Sequence, residues 1–353
     1  MSKGNINYRY LRRRKNWFQR NWKILLVCLI AIAVIGGGIF AGIKIKNAGG
    51  IKFNKASKEE QQEQETEETS QSEQKENNND NENVVWIEDK EPESKEVNYK
   101  APADVEHPYY IMVNRAANCV TVYGIDDDGK YTIPVKAFVA SCGVEGEETI
   151  TGEEYSTTDK YEWRLMVDGT YGHYATRIYD GYLFHSVPFT SASSDTLETE
   201  EFNKLGSFAS LGCVRLCVRD VYWLYDNCPE GTKVDIYDNE ANPGPLGKPD
   251  MIKIPLDSKY ANWDPTDPDK DNPWLDYSAK IEGAKDITTK VGEKVDLLKG
   301  VTATDTCGND ISKDIITIGR YTFDKAGEYE ITYKVTDAID STATAKITLK
   351  VTE

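Results

Sequence analysis

Two residue types in this chain are suited to covalent chemistry, a thiol and an imidazole. Cys213 lies in the run Ser210-Leu211-Gly212-Cys213-Val214-Arg215-Leu216, which reads as a loop leading into a helix. A cysteine just ahead of a helix feels the partial positive charge of the helix N-terminus, and that charge favours thiolate. Gly212 lets the backbone approach a substrate closely. The N–H groups of Gly212 and Cys213 are candidates for an oxyanion hole. Upstream, His185 closes the apolar run Tyr182-Leu183-Phe184, at a strand end where a rigid scaffold can hold a catalytic group. A neutral histidine next to a cysteine can take its proton and leave an ion pair. The same two residues are also compatible with a small buried hydrophobe and a satisfied core histidine.

The elements around them read as mostly β. Residues 109–237 form short alternating runs separated by turn signals such as "DDDGK". The stretch "VRLCVRDVYWLYDNC" after Gly212 has helical periodicity, with Val218, Val221, Tyr222 and Tyr225 on one face. "GTKVDIY" then reads as a closing strand. Residues 240–278 are a Pro- and Asp-rich connector, which implies that the segment beyond it folds independently. Residues 279–353 alternate with period two, Tyr329, Ile331, Tyr333 and Val335 facing one way, in about seven strands of a small sandwich.

The first 23 residues carry eight basic groups and no acid, leaving 34 basic against 59 acidic groups in the rest. The acidic remainder repels phosphate, so nucleic acid is excluded as a partner. Residues 24–43 are uncharged and rich in Ile, Leu, Val and Ala. At 1.5 Å per residue, 20 residues reach about 30 Å, the thickness of a bilayer core. The basic flank sets the N-terminus in the cytoplasm. The run is long for a signal peptide and lacks a clear small-residue cleavage site. We therefore expect a basic tail (1–23), a single transmembrane anchor (24–43) and everything beyond it outside the cell. Residues 44–106 are rich in Glu, Gln, Asn, Lys and Ser, and are expected to form a disordered acidic tether.

Of seven Cys, Cys28 falls in the apolar run, and the other six match no compact disulfide scaffold. A mostly reduced set is expected. Cys213, Cys217 and Cys228 lack the second tight pair that closes a zinc loop. In "DPTDPDKDN", counted from Asp267, Asn272 stands where a calcium loop needs Gly and Ser278 where it needs Glu, so Asx turns are the expectation. No cofactor or metal is implied.

The Ser210–Leu216 motif resembles the S-H-G-C signature of the L,D-transpeptidase (YkuD) catalytic domain. "FHSVPF" resembles the upstream histidine segment of that family, and "GTKVDIY" its terminal strand. The resemblance covers residues 107–239. It implies a mainly β fold, a YkuD-like sandwich or barrel with one main helix. It also implies Cys213 as nucleophile and His185 as base, with Ser186 orienting the histidine. Gly212, Ser210 and Arg215 would serve the oxyanion or the substrate. The implied reaction is attack on the third residue of a peptidoglycan tetrapeptide stem, release of D-Ala, and a 3–3 crosslink through a thioester, inhibited by carbapenems. Two features depart from the pattern. Leu211 replaces the motif histidine, and the 24 residues between His185 and Ser210 exceed the usual spacing, with residues 193–206 as the insertion. Residues 279–353 resemble bacterial immunoglobulin-like modules. Alternatives on the same residues are an L,D-carboxypeptidase, a sortase-like transpeptidase and a non-catalytic wall-binding protein.

Overall fold

A computed structural model describes residues 84–92 and 98–353. The apolar run 24–43 and most of the acidic tether lie outside the described residues. Among the described residues no helix is long and apolar enough to cross a membrane.

In chain order, β1 (Ile87–Asp89) precedes a meander of β2 (Tyr109–Asn114), β3 (Cys119–Ile125) and β4 (Tyr131–Val139). Then come β5 (Gly152–Ser156), β6 (Lys160–Leu165), β7 (Tyr171–Tyr179) and β8 (Tyr182–Ser186). A short helix α1 (Thr199–Phe202) leads to β9 (Val214–Leu216), helix α2 (Val218–Asn227) and β10 (Lys233–Tyr237). These build two sheets, ordered β4-β3-β2-β10-β5 and β6-β7-β8-β9. β10 runs parallel to β2, and β9 parallel to β8. Alternation puts Ile111 and Val113 of β2, Val120 and Val122 of β3, and Val234 and Ile236 of β10 into one core. Phe184, Val214 and Leu216 join it from the second sheet, and Val221 and Leu224 from α2.

Two expectations change here. The helix starts at Val218, not at Val214, because Val214, Arg215 and Leu216 are all buried in the parallel pairing with β8. Cys213 therefore precedes a strand and gains nothing from a helix terminus. The apolar face of α2 is Val218, Val221 and Leu224, whereas Tyr222 is 38% exposed.

The connector is ordered and bonded to the rest. Cys217, the residue before α2, makes no side-chain cap. The Val218 N–H donates instead to Asp264 Oδ2 (2.8 Å), and the Arg219 N–H to Thr266 Oγ1 (3.1 Å). Helix-terminal N–H groups need such partners. Asp264 Oδ1 accepts from the Thr266 N–H in the expected Asx-turn manner. Ile252, Ile254 and Trp274 share a second core with Leu197, Phe202, Leu205 and Val218. Asn203 brackets Ile254, donating to its carbonyl and accepting from its N–H, both at 2.8 Å.

The last region contains β11 (Lys280–Glu282), β12 (Ile287–Lys290), β13 (Thr302–Thr304), β14 (Ile316–Tyr321), β15 (Gly327–Thr336) and β16 (Thr342–Thr352). Its sheets are β1-β14-β15-β16-β12 and β11-β13. Ile331, Tyr333 and Val335 are buried as the alternation requires. Six strands come from residues 279–353, and the seventh from upstream. β1 lies within the span expected to be disordered tether, and it is ordered because edge strand β14 offers it a ladder. Trp86 packs edge-on against Tyr329, and Asp89 Oδ2 accepts from the Thr317 and Tyr321 hydroxyls. The last region also packs against the rest rather than hanging from a free linker. Cys307, Ala338 and Ile339 pack into the second core, Arg219 pairs with Asp340 (2.8 Å), and Asn309 Nδ2 donates to the Lys253 carbonyl.

Candidate active site

The parallel register of β8 on β9 sets the site. It pairs Phe184 with Val214, His185 with Arg215 and Ser186 with Leu216. Since Phe184 and Val214 face the core, period two sends His185 and Arg215 to the opposite face, with Cys213 one step before β9. Cys213 is the only partly exposed member of the six described cysteines; all six are free, and Cys119, Cys142, Cys217, Cys228 and Cys307 are buried. Its Sγ lies 3.7 Å from the Gly181 carbonyl oxygen.

His185 is buried at 3% exposure, and its Nδ1 has no hydrogen-bond partner among the described residues. Gly172 on β7 lies against it. A Cβ at Gly172 would come within 2.9 Å of both the Cβ and Nδ1 of His185, so this strand must carry glycine there. Burial, then the Arg215 charge, push the imidazole down to about 3, with the Ser186 backbone and Asp168 opposing. Burial pushes the Cys213 thiol up, against the Leu183 backbone and the Arg215 charge. Both shifts favour the uncharged form. Neither shift favours the ion pair expected of a thiol next to an imidazole.

Most of the remaining candidate residues tie the scaffold together. Ser186 Oγ donates to the Val187 carbonyl (2.7 Å) and accepts from the His173 N–H (2.9 Å). Its hydroxyl thus ties β8 to β7 and does not reach the His185 ring, to which Ser186 presents only backbone. Ser210 Oγ donates to the Cys213 carbonyl (2.6 Å) and accepts from the Gly212 N–H (3.1 Å). The Gly212 N–H is therefore spent within the turn and is not free for an oxyanion. Gly212 has φ +114, a conformation that favours glycine, and its α-carbon faces Tyr182. Among the described residues the Cys213 N–H has no backbone partner outside the strands. Arg215 Nη1 donates to Glu201 Oε2 (2.8 Å) and to the Ala209 carbonyl (2.9 Å), while its buried Nε is unpartnered. It braces the turn before the cysteine.

Three contributors escape a motif reading. Glu201 comes from α1, inside the insertion, and holds Arg215. Asp168, in the β6–β7 turn, accepts from Thr170, and its carboxyl is held below the usual range despite partial burial, by Thr170 and by the Arg215 charge. Gly143 passes so close to the Glu147 carbonyl that a Cβ would meet it at 2.0 Å, and its loop pairs with Ser210. The "CG" step at Cys142-Gly143 is a visible signal for a tight approach; Glu201 and Asp168 give none. Among the described residues no group of three or more His, Cys, Asp or Glu could hold a metal ion. Asp264, Asp267 and Asn272 serve turns and a helix start.

The L,D-transpeptidase catalytic domain family matches residues 108–236, and the bacterial surface protein Ig-like domain family matches residues 279–351. The YciB protein of Bacillus subtilis (strain 168), which bears an L,D-transpeptidase name, is 51% identical over 55 residues, 16% of this chain and 27% of its own length. Among solved structures, an L,D-transpeptidase from Mycobacterium smegmatis is 18% identical (TM-score 0.30), covering 36% of this chain and 58% of its own. An L,D-transpeptidase solved in complex with imipenem is 21% identical (TM-score 0.29), with the same coverage of both chains. This chain thus spans about a quarter of its curated relative and under two thirds of these structures. Residues 108–236 are an L,D-transpeptidase catalytic domain, followed on the same chain by a bacterial surface Ig-like domain.

Proposed function

We propose that this protein crosslinks peptidoglycan, with Cys213 as nucleophile and His185 as general base. The observation that carries the reading is the register of β8 on β9, which puts a partly exposed thiol, one residue before β9, on the same sheet face as a buried imidazole whose Nδ1 is unclaimed. On substrate binding, His185 takes the Cys213 proton while sulfur attacks the carbonyl carbon of the third stem residue. The Cys213 N–H faces the oxyanion. Collapse breaks the peptide bond to D-Ala, and His185 returns its proton to the leaving amine. A thioester remains. A side-chain amine of a neighbouring stem attacks it, its proton passes to His185, and the thiolate leaves to regain that proton. The N-terminal apolar run would hold the domain on the outer membrane face, where this substrate lies.

The test is acylation of the full chain by a carbapenem, read by mass spectrometry. One adduct on Cys213 is expected, none in Cys213→Ala, and a rate about 10²-fold slower in His185→Ala. His107→Ala should react at the normal rate. Labelling at Cys119, Cys142 or Cys228, or indifference to His185, overturns the assignment. Stem dimers in a reaction with tetrapeptide mark a transpeptidase, and free tripeptide alone marks a carboxypeptidase.

A further inference from the structure

A cavity of about 590 Å³ opens on the seam between the catalytic domain and the Ig-like domain. Its walls are β4, α2, the start of the connector and the β15–β16 turn. This volume lies within the range of small-molecule sites, which favour domain junctions. Phe138 and Trp223 of its lining also pack on the core, but none of its residues takes part in the mechanism. Tyr222 stands outside the apolar face of α2 and is 38% exposed. Trp223 is partly buried against Tyr109 and Phe138 and lines the cavity, with Lys136 Nζ 5.8 Å from its ring centroid. Arg219 spans the seam, pairing with Asp220 (3.1 Å) on its own helix and Asp340 (2.8 Å) from the Ig-like domain. Asp340 has φ +70, an uncommon conformation for a non-glycine residue, at the tip of the turn that delivers it. Asp226 completes the lining with a further carboxylate.

We infer that this seam cavity is a saccharide subsite that binds the N-acetylated amino-sugar backbone of the wall polymer. A pyranose ring has apolar C–H faces and an edge of hydroxyl and amide groups that need both donors and acceptors. Flat aromatic surface answers the faces. Lys136 and Arg219 supply donors, and Asp226 and Asp340 acceptors, at the edge. Three carboxylates against two cations disfavour phosphate, and the charges disfavour a purely apolar ligand. The site is composite: Asp340 must reach Arg219, so the Ig-like domain completes it. The choice of sugar rests on the proposed action on peptidoglycan.

The experiment is calorimetric titration of the full chain with the β-1,4-linked tetramer of N-acetylglucosamine, alongside carbapenem acylation of Cys213. Saturable binding is expected, weakened at least tenfold in Lys136→Ala and in Asp226→Ala and unchanged in Cys213→Ala. Both cavity variants should still be acylated at the normal rate, which shows that they fold. No saturable heat from a chain that acylates normally overturns the subsite, as does binding that neither cavity variant weakens. Displacement of the sugar by an isolated stem peptide also overturns it, by making the cavity a peptide site. Sugar binding in a chain that resists acylation supports the subsite and removes the catalytic reading alone.

Discussion

The two domains treat buried polar atoms differently. Seven buried side-chain atoms lack a hydrogen-bond partner among the described residues, on His107, Thr121, His173, Thr176, His185, Arg215 and Asp267. All lie between residues 107 and 267, and none in the Ig-like domain. There, the Tyr333 hydroxyl, fully buried, donates to the Leu297 carbonyl (2.6 Å), and Asp337 accepts from Thr306 through both N–H and hydroxyl. A buried polar group without a partner costs about 1–3 kcal/mol. Two of the seven, His185 Nδ1 and Arg215 Nε, belong to the candidate site, where an unclaimed nitrogen or guanidinium can be offered to a substrate; the other five belong to its surroundings. The contrast is informative because one chain built both domains.

The largest effect should fall on His185. His185→Ala removes the one orphaned nitrogen assigned to chemistry, and a 10²-fold loss in acylation rate corresponds to about 2.7 kcal/mol. Tyr333→Phe, the counterpart in the Ig-like domain, should leave the rate unchanged while lowering stability by about 1 kcal/mol. Urea unfolding and acylation rates, measured on both variants, separate the two. Equal rate losses would erase the distinction between the domains.

All three histidines of the chain lie in the catalytic half. His173 is stacked between Trp163 (centroids 3.9 Å) and Tyr174 (3.8 Å), and burial pushes it down to about 4. Its folded value, like that of His185, lies below the unfolded one near 6.5. The unfolded chain therefore binds more protons below pH 6.5, and stability falls as pH falls. The contribution is complete above pH 6.5 and is lost progressively towards pH 4 for His173 and towards pH 3 for His185. Two such groups contribute about 2.7 kcal/mol per pH unit to the slope within the shared window, partly offset by Asp264, whose buried carboxyl is pushed up to about 6, and His173→Phe should remove about 1.4 kcal/mol per pH unit from the slope. Denaturant midpoints between pH 6.5 and 4 measure this. An unchanged slope would mean that His173 is not buried neutral.

Truncation after Ser278 should have a smaller effect. Removal of the Ig-like domain uncovers the second core where Cys307, Ala338 and Ile339 sat, and leaves Arg219 without Asp340. A loss of about 2 kcal/mol is expected, the scale of one large apolar side chain returned to water. Acylation of Cys213 should persist, because every residue of the site precedes the cut. A truncated chain as stable as the whole would restore the reading of the connector as a loose joint.

Much of this arrangement is legible in residue order. The strands of both domains show as period-two alternation, as in Ile331, Tyr333 and Val335, and Cys213 and His185 show in their local motifs. The failures share a physical cause. The Val214–Leu216 strand reads as helix because a three-residue, fully buried parallel strand has no alternation to display. β1 reads as tether because its stability comes from an edge more than 220 residues away. Likewise the Asp264 cap and the Glu201–Arg215 pair join residues 46 and 14 positions apart, with nothing local to announce them. Composition marks the connector as a linker, but Trp274, Ile252 and Ile254 are enough to dock it.

The smallest effect should come from Leu211→His, which restores the residue that the family motif carries. The turn around this position is held by the Ser210 hydroxyl, bonded to the Gly212 N–H and the Cys213 carbonyl, so it does not depend on side chain 211. Leu211 is itself 52% exposed. A histidine there would be solvated, and His185 would remain the buried imidazole on the face of the sheet that Cys213 shares. At most a few-fold change in acylation rate is expected, about 1 kcal/mol. A hundredfold change in either direction would show that position 211 exchanges protons with Cys213, and that the pairing across β8 and β9 is not the only route for the thiol proton.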